Sequence, residues 1–454
     1  MTTPATAPAK VDVSALIDHS KVKAVHAAAF LLCAACTIMD GFDVQALGFV
    51  APAVIQDWKI APALLGPVFG ASNLGVLVGQ LTFTILADRV GRRPVLILGV
   101  LLFSVLTILT GRANTITELL VIRFIAGTAL GSIIPNATAL VGEYSPLRLR
   151  IKLTTYIGIG FTAGAMLGGF VAAAMIPAFG WRSVFYFGGA VPLVLAVMMY
   201  FWLPESLQLL VLRRRSPEQI GRWLNKLAPD VPLAPGVQYR VNEESRKGVP
   251  FVRLFREGRG ISTILLWVIN FMNLLNLYSL ANWLPTVVRG AGYPTSTAVL
   301  VGTMLQVGGT FSPFLFASLI MRFGPVPVLT TVFSIACVTI AIIGHPGLSL
   351  TLLVVFVIVA GACIVGGQPS VNALSATYYP TYLRSTGLGW SLGIGRAGAI
   401  VGPVLAGEFM ALKWTTQSIF LALAVPAFFS AVAMFALRWV MKSQASKPAA
   451  GSAP

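Results

Sequence analysis

Twelve long apolar stretches recur through this sequence, each near the roughly 20 residues that a helix needs to cross a bilayer. Lipid offers no partner to backbone N–H and C=O groups, so stretches of this kind are restricted to helices that satisfy those groups internally. An all-α membrane protein with twelve transmembrane helices is therefore expected, with both termini on one side because the count is even. Only 10% of the residues are charged and 56% are hydrophobic, where a soluble domain carries roughly 25% charged residues. The polar N-terminal segment lacks the pattern of a cleavable signal, so the first span is expected to remain in the chain.

A net charge of +17 could suggest a nucleic-acid partner, but the positions of the charges argue for none. Of the 32 Lys and Arg residues, 25 fall in the two tails and in the connections on the side of the tails. Only Lys59, Arg112, Arg182, Arg289 and Lys413 fall on the opposite side. Positive charge collects on the cytoplasmic side of inner-membrane proteins, which predicts both termini in the cytoplasm. Cys33, Cys36, Cys337 and Cys363 all lie in apolar spans. Without a second ligand pair they read as packing residues, and no metal or cofactor is expected.

Residues 1–23, rich in Ala, Thr and Pro, read as a disordered tail, and 24–203 hold spans 1 to 6. A charged, proline-bearing connection covers 204–260, with room for short amphipathic helices. Spans 7 to 12 occupy 261–440, and 441–454 form a second tail. The two six-span groups are related. Tyr144-Ser145-Pro146 with Arg150 aligns with Tyr378-Tyr379-Pro380 and Arg384 at one constant offset. Gly164 and Gly168 meet Gly398 and Gly402 at that same offset, and Arg89-Val90-Gly91 meets Arg322-Phe323-Gly324 at one position less. Parallel six-span repeats build the major facilitator fold, in which two six-helix halves rock about a site near the midplane.

The first span, from about Ala27 to Ile55, contains Asp40 and Asp43. A charge at that depth costs at least about 2.5 to 3.5 kcal/mol, so each needs a partner, a wet cavity or a proton. Spaced i, i+3, they are expected on one helical face as candidate proton carriers, or as members of a structural ion pair. Arg123 in span 4 falls at a similar depth and is a candidate partner, either tuning the proton site or serving as a counter-ion. Glu143, at the end of the same span, joins this proton-coupling set.

The connection between spans 2 and 3 reads Leu86-Ala87-Asp88-Arg89-Val90-Gly91-Arg92-Arg93. A charged turn with Gly91 can close helix ends through an Asp88 to Arg pairing that breaks as the halves rock. Asp88, Arg89, Arg92 and Arg93, with Arg150 and Arg384 in the related connections, form the expected gating set. Arg396 falls near mid-membrane in span 11, about two turns after Trp390. A fixed guanidinium beside an aromatic ring suits an aromatic carboxylate, by bidentate pairing and stacking; a structural ion pair is the alternative. Asn270, Asn273, Asn276 and Tyr278 in span 7 and Gln306 in span 8 either line a cavity or bond a neighbouring helix. Arg396, Trp390, Asn270, Asn273, Tyr278, Gln306 and Phe42 make the expected substrate-binding set.

The loop signature and the Leu203-Pro204-Glu205-Ser206 run resemble elements shared across the major facilitator superfamily, with Thr84 where that signature has a glycine. Asp40-Gly41-Phe42-Asp43 with Gly48-Phe49-Val50-Ala51-Pro52 is more specific, as are Asn282-Trp283-Leu284-Pro285, Asn372-Ala373-Leu374 and the run from Arg384 to Pro403. With these the chain resembles the aromatic acid:proton symporters, and within them the 4-hydroxybenzoate and protocatechuate permeases. The resemblance implies import of an aromatic carboxylate with protons, importance of Asp40, Asp43, Arg123, Glu143, Arg384 and Arg396 for transport, and gating by Asp88 and Arg92. A sugar or other metabolite symporter is the alternative within the superfamily. No nucleophile–base pair or metal cluster inside the spans supports an enzyme. The chain is expected to act as a monomer whose partners are the acid, protons and lipid.

Overall fold

Gly164 and Gly398, at equivalent positions of the two repeats, show how the halves are built, because a Cβ at either would collide with a backbone carbonyl of a neighbouring helix. Gly164 lies against the Ile38 carbonyl and Gly398 against that of Phe271, whose place in the second half answers to that of Ile38 in the first. The same contact is made twice, and small residues allow the backbones that approach. The computed structural model describes residues 10–18, 20, 22–213, 215–227, 238–240, 251–256, 258–380 and 382–445.

Twelve helical spans cross the membrane region. In the first half these are α2 (Ala24–Trp58), α3 (Gly66–Val90), α4 (Arg92–Thr110), α5 (Ile116–Leu130) continued by α6 (Ile133–Tyr144), α7 (Leu147–Phe179) and α8 (Arg182–Trp202). The second half has α11 (Gly260–Gly290), α12 (Thr295–Phe323), α13 (Pro325–Ile343), α14 (Leu350–Ile364) continued by α15 (Gln368–Tyr378), α16 (Arg384–Ala411) and α17 (Thr416–Ala445). The fourth and tenth spans are both broken, after Leu130 and after Ile364, again at equivalent positions of the two repeats. One buried core fills each half, around Phe103 and Phe185 in the first and around Phe333 and Leu329 in the second. Cys36 packs its sulfur 3.3 Å from that of Met199, inside the first core.

The tail expected to be disordered is in part ordered. Strand β1 (Lys10–Asp12) pairs in parallel with β2 (Gln238–Arg240) of the central connection, and α1 (Val13–Asp18) follows it. Val13 and Ile17 supply the reason, since both are buried in the first core. The central connection also holds α9 (Leu207–Leu212) and α10 (Pro217–Leu227). Residues 1–9, 228–237, 241–250 and 446–454 of the expected tails and connection lie outside the described residues.

Candidate functional site

Helix α2 sends its two carboxylates to different places. Residues three apart differ by about 60° around a helix, so they share a face but lean to either side of it. Asp40, Val44 and Gly48 recur every fourth residue on the face that meets the second half. Val44 packs against both cores, and a Cβ at Gly48 would stand 3.0 Å from Asn282 Cα. Asp43 turns into its own half. Arg123 Nη2 lies 2.9 Å from Asp43 Oδ2, Nη1 donates to Oδ1 at 3.2 Å, and Nη2 also donates to the Asp43 carbonyl at 3.2 Å. Thr107 Oγ1 donates to Oδ1 at 2.7 Å, and neither charged side chain is exposed. Asp40 and Asp43 thus lean to opposite sides of α2's inner face, and only Asp43 pairs with Arg123. Asp40 is 3% exposed and accepts no hydrogen bond or ion pair among the described residues. The charges that act on it are Arg396, from the other half, and Asp43.

Arg396 is half-buried on α16, and its Nη1 donates to Tyr278 Oη at 3.2 Å. Among the described residues no carboxylate comes within ion-pair distance of it, which leaves most of its planar fork available for an anion. Trp390, expected beside it, stands elsewhere. Six residues on a helix amount to one and two-thirds turns, which puts Trp390 on another face. Its ring packs on Phe251 at 4.6 Å and on Trp267 at 6.1 Å, towards the central connection. Phe42 is likewise corrected. It is 3% exposed within the first core, beside Phe187 and against Gly168 and Gly188.

The polar residues of α11 are buried. Asn270 bonds to Ser391 and Gln368, and Asn273 bonds to Gln368 and the Ile364 carbonyl. Asn276 is fully buried, and neither of its amide atoms has a hydrogen-bond partner among the described residues. Gln306 is 2% exposed, with no side-chain hydrogen bond among them. Sequence reasoning missed Thr107, Gln368 and Ser391. At the offset that carries Ile38 onto Phe271, Met39-Asp40 and Asp43 fall on Met272-Asn273 and Asn276, so the neutral amides already singled out in the second half repeat the positions of the two acids.

At the face that carries the termini, Arg92 Nη2 pairs with Glu143 Oε1 at 2.7 Å. Glu143 thus sits with the gating residues and away from the Asp43 pair, because it ends α6 at that face. Glu205, unassigned from sequence, accepts the backbone N–H groups of Arg92 at 3.0 Å and Arg93 at 3.2 Å, and so caps the start of α4. Gly91 makes this fit, having φ of +132° and a Cβ position only 2.6 Å from Glu205 Oε2. Arg93 donates to the Tyr200 carbonyl, Arg213 to the Arg89 carbonyl, and Arg150 pairs with Asp18 of α1. Asp88 and Arg384 are exposed and make no ion pair among the described residues, so the expected Asp88 to Arg pairing is absent in this state.

The halves meet away from that face. The rings of Phe69 and Trp283 pack edge to face at 5.2 Å, Gly66 and Gly70 lie against Pro403 and Val404, and Gly169 lies against Thr303. Near the terminal face, Cβ positions at Gly158 on α7 and at Gly389 and Gly393 on α16 meet nothing within 4 Å.

The family model described as Major Facilitator Superfamily matches residues 33–347 and 266–453. The chain is 38% identical over 419 residues to the 4-hydroxybenzoate transporter PcaK of Pseudomonas putida, covering 92% of this chain and 93% of that protein. It is 37% identical to a gallate transporter of Pseudomonas putida, covering 94% and 95%. Among solved structures, a bacterial homologue of the human lysosomal transporter Spinster in an inward-facing, unoccupied conformation superposes with a TM-score of 0.74. It covers 94% of this chain and 100% of that one, and at 16% identity it shows the fold alone.

Proposed function

The chain belongs to the aromatic-acid permeases of the Major Facilitator Superfamily, and from that premise we propose that it imports a 4-hydroxybenzoate- or protocatechuate-like carboxylate together with protons. The observation that carries this reading is Arg396, a half-buried cation in the membrane whose one side-chain partner among the described residues is the neutral Tyr278. Asp40, the buried carboxylate of the first half on which the Arg396 charge acts, has no hydrogen bond of its own among those residues.

Charge balance supplies the coupling. With the site empty, Asp40 and Arg396 compensate each other. An arriving aromatic carboxylate takes the Arg396 fork, and Asp40, deprived of its counter-charge, takes up a proton. The loaded site is again neutral, holding one anion and one proton, and the halves can rock without carrying a net charge through the low-dielectric region. The anion alone would leave an uncompensated charge there, so neither ligand moves without the other. Asp43, held by Arg123 and Thr107, is a fixed pair that shapes α2.

In this proposal the protein is a monomer in the inner membrane with both termini in the cytoplasm, as its basic connections indicate. Uptake of labelled 4-hydroxybenzoate into cells expressing the chain tests the reading. Accumulation that collapses with the proton gradient and is competed by benzoates but not by hexoses is expected. Competition by hexoses alone would make it a sugar porter.

A further inference from the structure

Two backbone carbonyls fix the orientation of a chain of amides in the second half. Asn270 Nδ2 donates to the Leu266 carbonyl at 3.1 Å and to Ser391 Oγ at 2.7 Å, so its Oδ1 faces the other way and accepts from Gln368 Nε2 at 3.0 Å. Asn273 Nδ2 donates to the Ile364 carbonyl at 3.1 Å and to Gln368 Oε1 at 2.6 Å. Carbonyls only accept, so neither asparagine can be turned round, and together they set Gln368 with its oxygen towards Asn273 and its nitrogen towards Asn270. The second Gln368 N–H goes to Asn372 Oδ1 at 3.0 Å. What remains at the end of the chain is Asn372 Nδ2, a donor with no acceptor among the described residues.

Asn372 is half-buried on α15, next to the exposed face formed by Pro369, Ala373 and Thr377. That helix packs on α11, α12, α13 and α16 of its own half and leaves this face uncovered. The network touches α16 at Ser391, which precedes Arg396 by five residues, about 7.5 Å of helix rise. The free donor and the cation therefore belong to one half and are tied to the same helix, α16, the first through its amide chain and Ser391 and the second directly.

We propose that Asn372 is a specificity-determining residue, whose N–H donates to a ring oxygen of the aromatic acid held by Arg396. The proposal rests on the permease reading and assigns recognition of the ring oxygen of its acid to one residue. The amides behind Asn372 act as positioning residues, preventing it from presenting its oxygen instead.

The test is competition for uptake among benzoate, 4-hydroxybenzoate and 4-methoxybenzoate, in wild type and two variants. Wild type is expected to prefer both oxygenated acids over benzoate. In Asn372→Leu that preference should fall by about fivefold, the worth of one neutral hydrogen bond, with benzoate uptake kept. Asn372→Asp has almost the same shape but only accepts when ionised, so 4-hydroxybenzoate, which can donate, should gain over 4-methoxybenzoate, which cannot. Unchanged ratios in either variant that transports benzoate overturn the proposal and leave the permease reading standing. A wild type that takes up none of the three acids overturns both.

Discussion

Arg123 on α5 and Asp43 on α2 close on each other through both carboxylate oxygens, at 2.9 and 3.2 Å, with neither side chain exposed. Removing one member of such a pair strands a charge in a low-dielectric interior, which costs about 3 to 5 kcal/mol, whereas removing both can be close to neutral. Arg123→Leu should therefore lower the thermal unfolding temperature in detergent sharply. The double variant Asp43→Leu with Arg123→Leu should recover most of that loss. Losses that simply add would show that the two side chains do not act as a pair.

The cap on α4 predicts a kinetic defect without a binding defect. An alanine at Gly91 would have to hold φ of +132° with its Cβ at 2.6 Å from Glu205 Oε2, so Gly91→Ala should dislodge Glu205 from the Arg92 and Arg93 N–H groups. Glu205→Gln, which still offers an accepting oxygen, should be milder than Glu205→Ala. Exchange of labelled for unlabelled acid should slow severalfold in Gly91→Ala while equilibrium binding holds within a few-fold. A lost affinity with a normal exchange rate would contradict a gating role for this connection.

Arg396→Lys keeps the charge and loses the planar fork. Charge-assisted hydrogen bonds contribute about 1.5 to 3 kcal/mol, so loss of the second bond should weaken binding of the aromatic acid by about tenfold or more. The corresponding amide, already a poor ligand, should change little. Binding to purified protein reads both, and an equal loss for acid and amide would make Arg396 a packing residue.

The fold was legible because each of its determinants is local or repeated. Twelve apolar runs and a repeat of the whole six-span unit require stacked helices in two related halves, and Gly164 and Gly398 mark a contact made twice. The site was legible as a set of residue types, but its pairings were not. Asp40 and Asp43 differ by less than one turn, and which of them meets Arg123 depends on how α2 is rotated, which is set by Gly41 against α7 and Gly48 against α11. Trp390 was placed by sequence distance along α16, and tertiary packing on Phe251 decided otherwise. Glu205 lies 113 residues from the N–H group of Arg92 that it caps, and no local pattern announces such a bond. The amides of α11 were legible as polar residues in an apolar span, and laying the two halves over each other shows that Asn273 and Asn276 repeat the positions of the acids.

The central claim is that Asp40 carries the proton that accompanies the acid. Proteoliposomes holding the purified protein and an internal pH dye, given 4-hydroxybenzoate outside without an imposed pH gradient, measure it directly against protein-free vesicles. Wild type should acidify the lumen as labelled acid enters. Asp40→Asn should still exchange labelled for unlabelled acid across the membrane but show no acidification beyond that of protein-free vesicles. Acidification by Asp40→Asn at the wild-type rate would contradict the account and place the proton elsewhere.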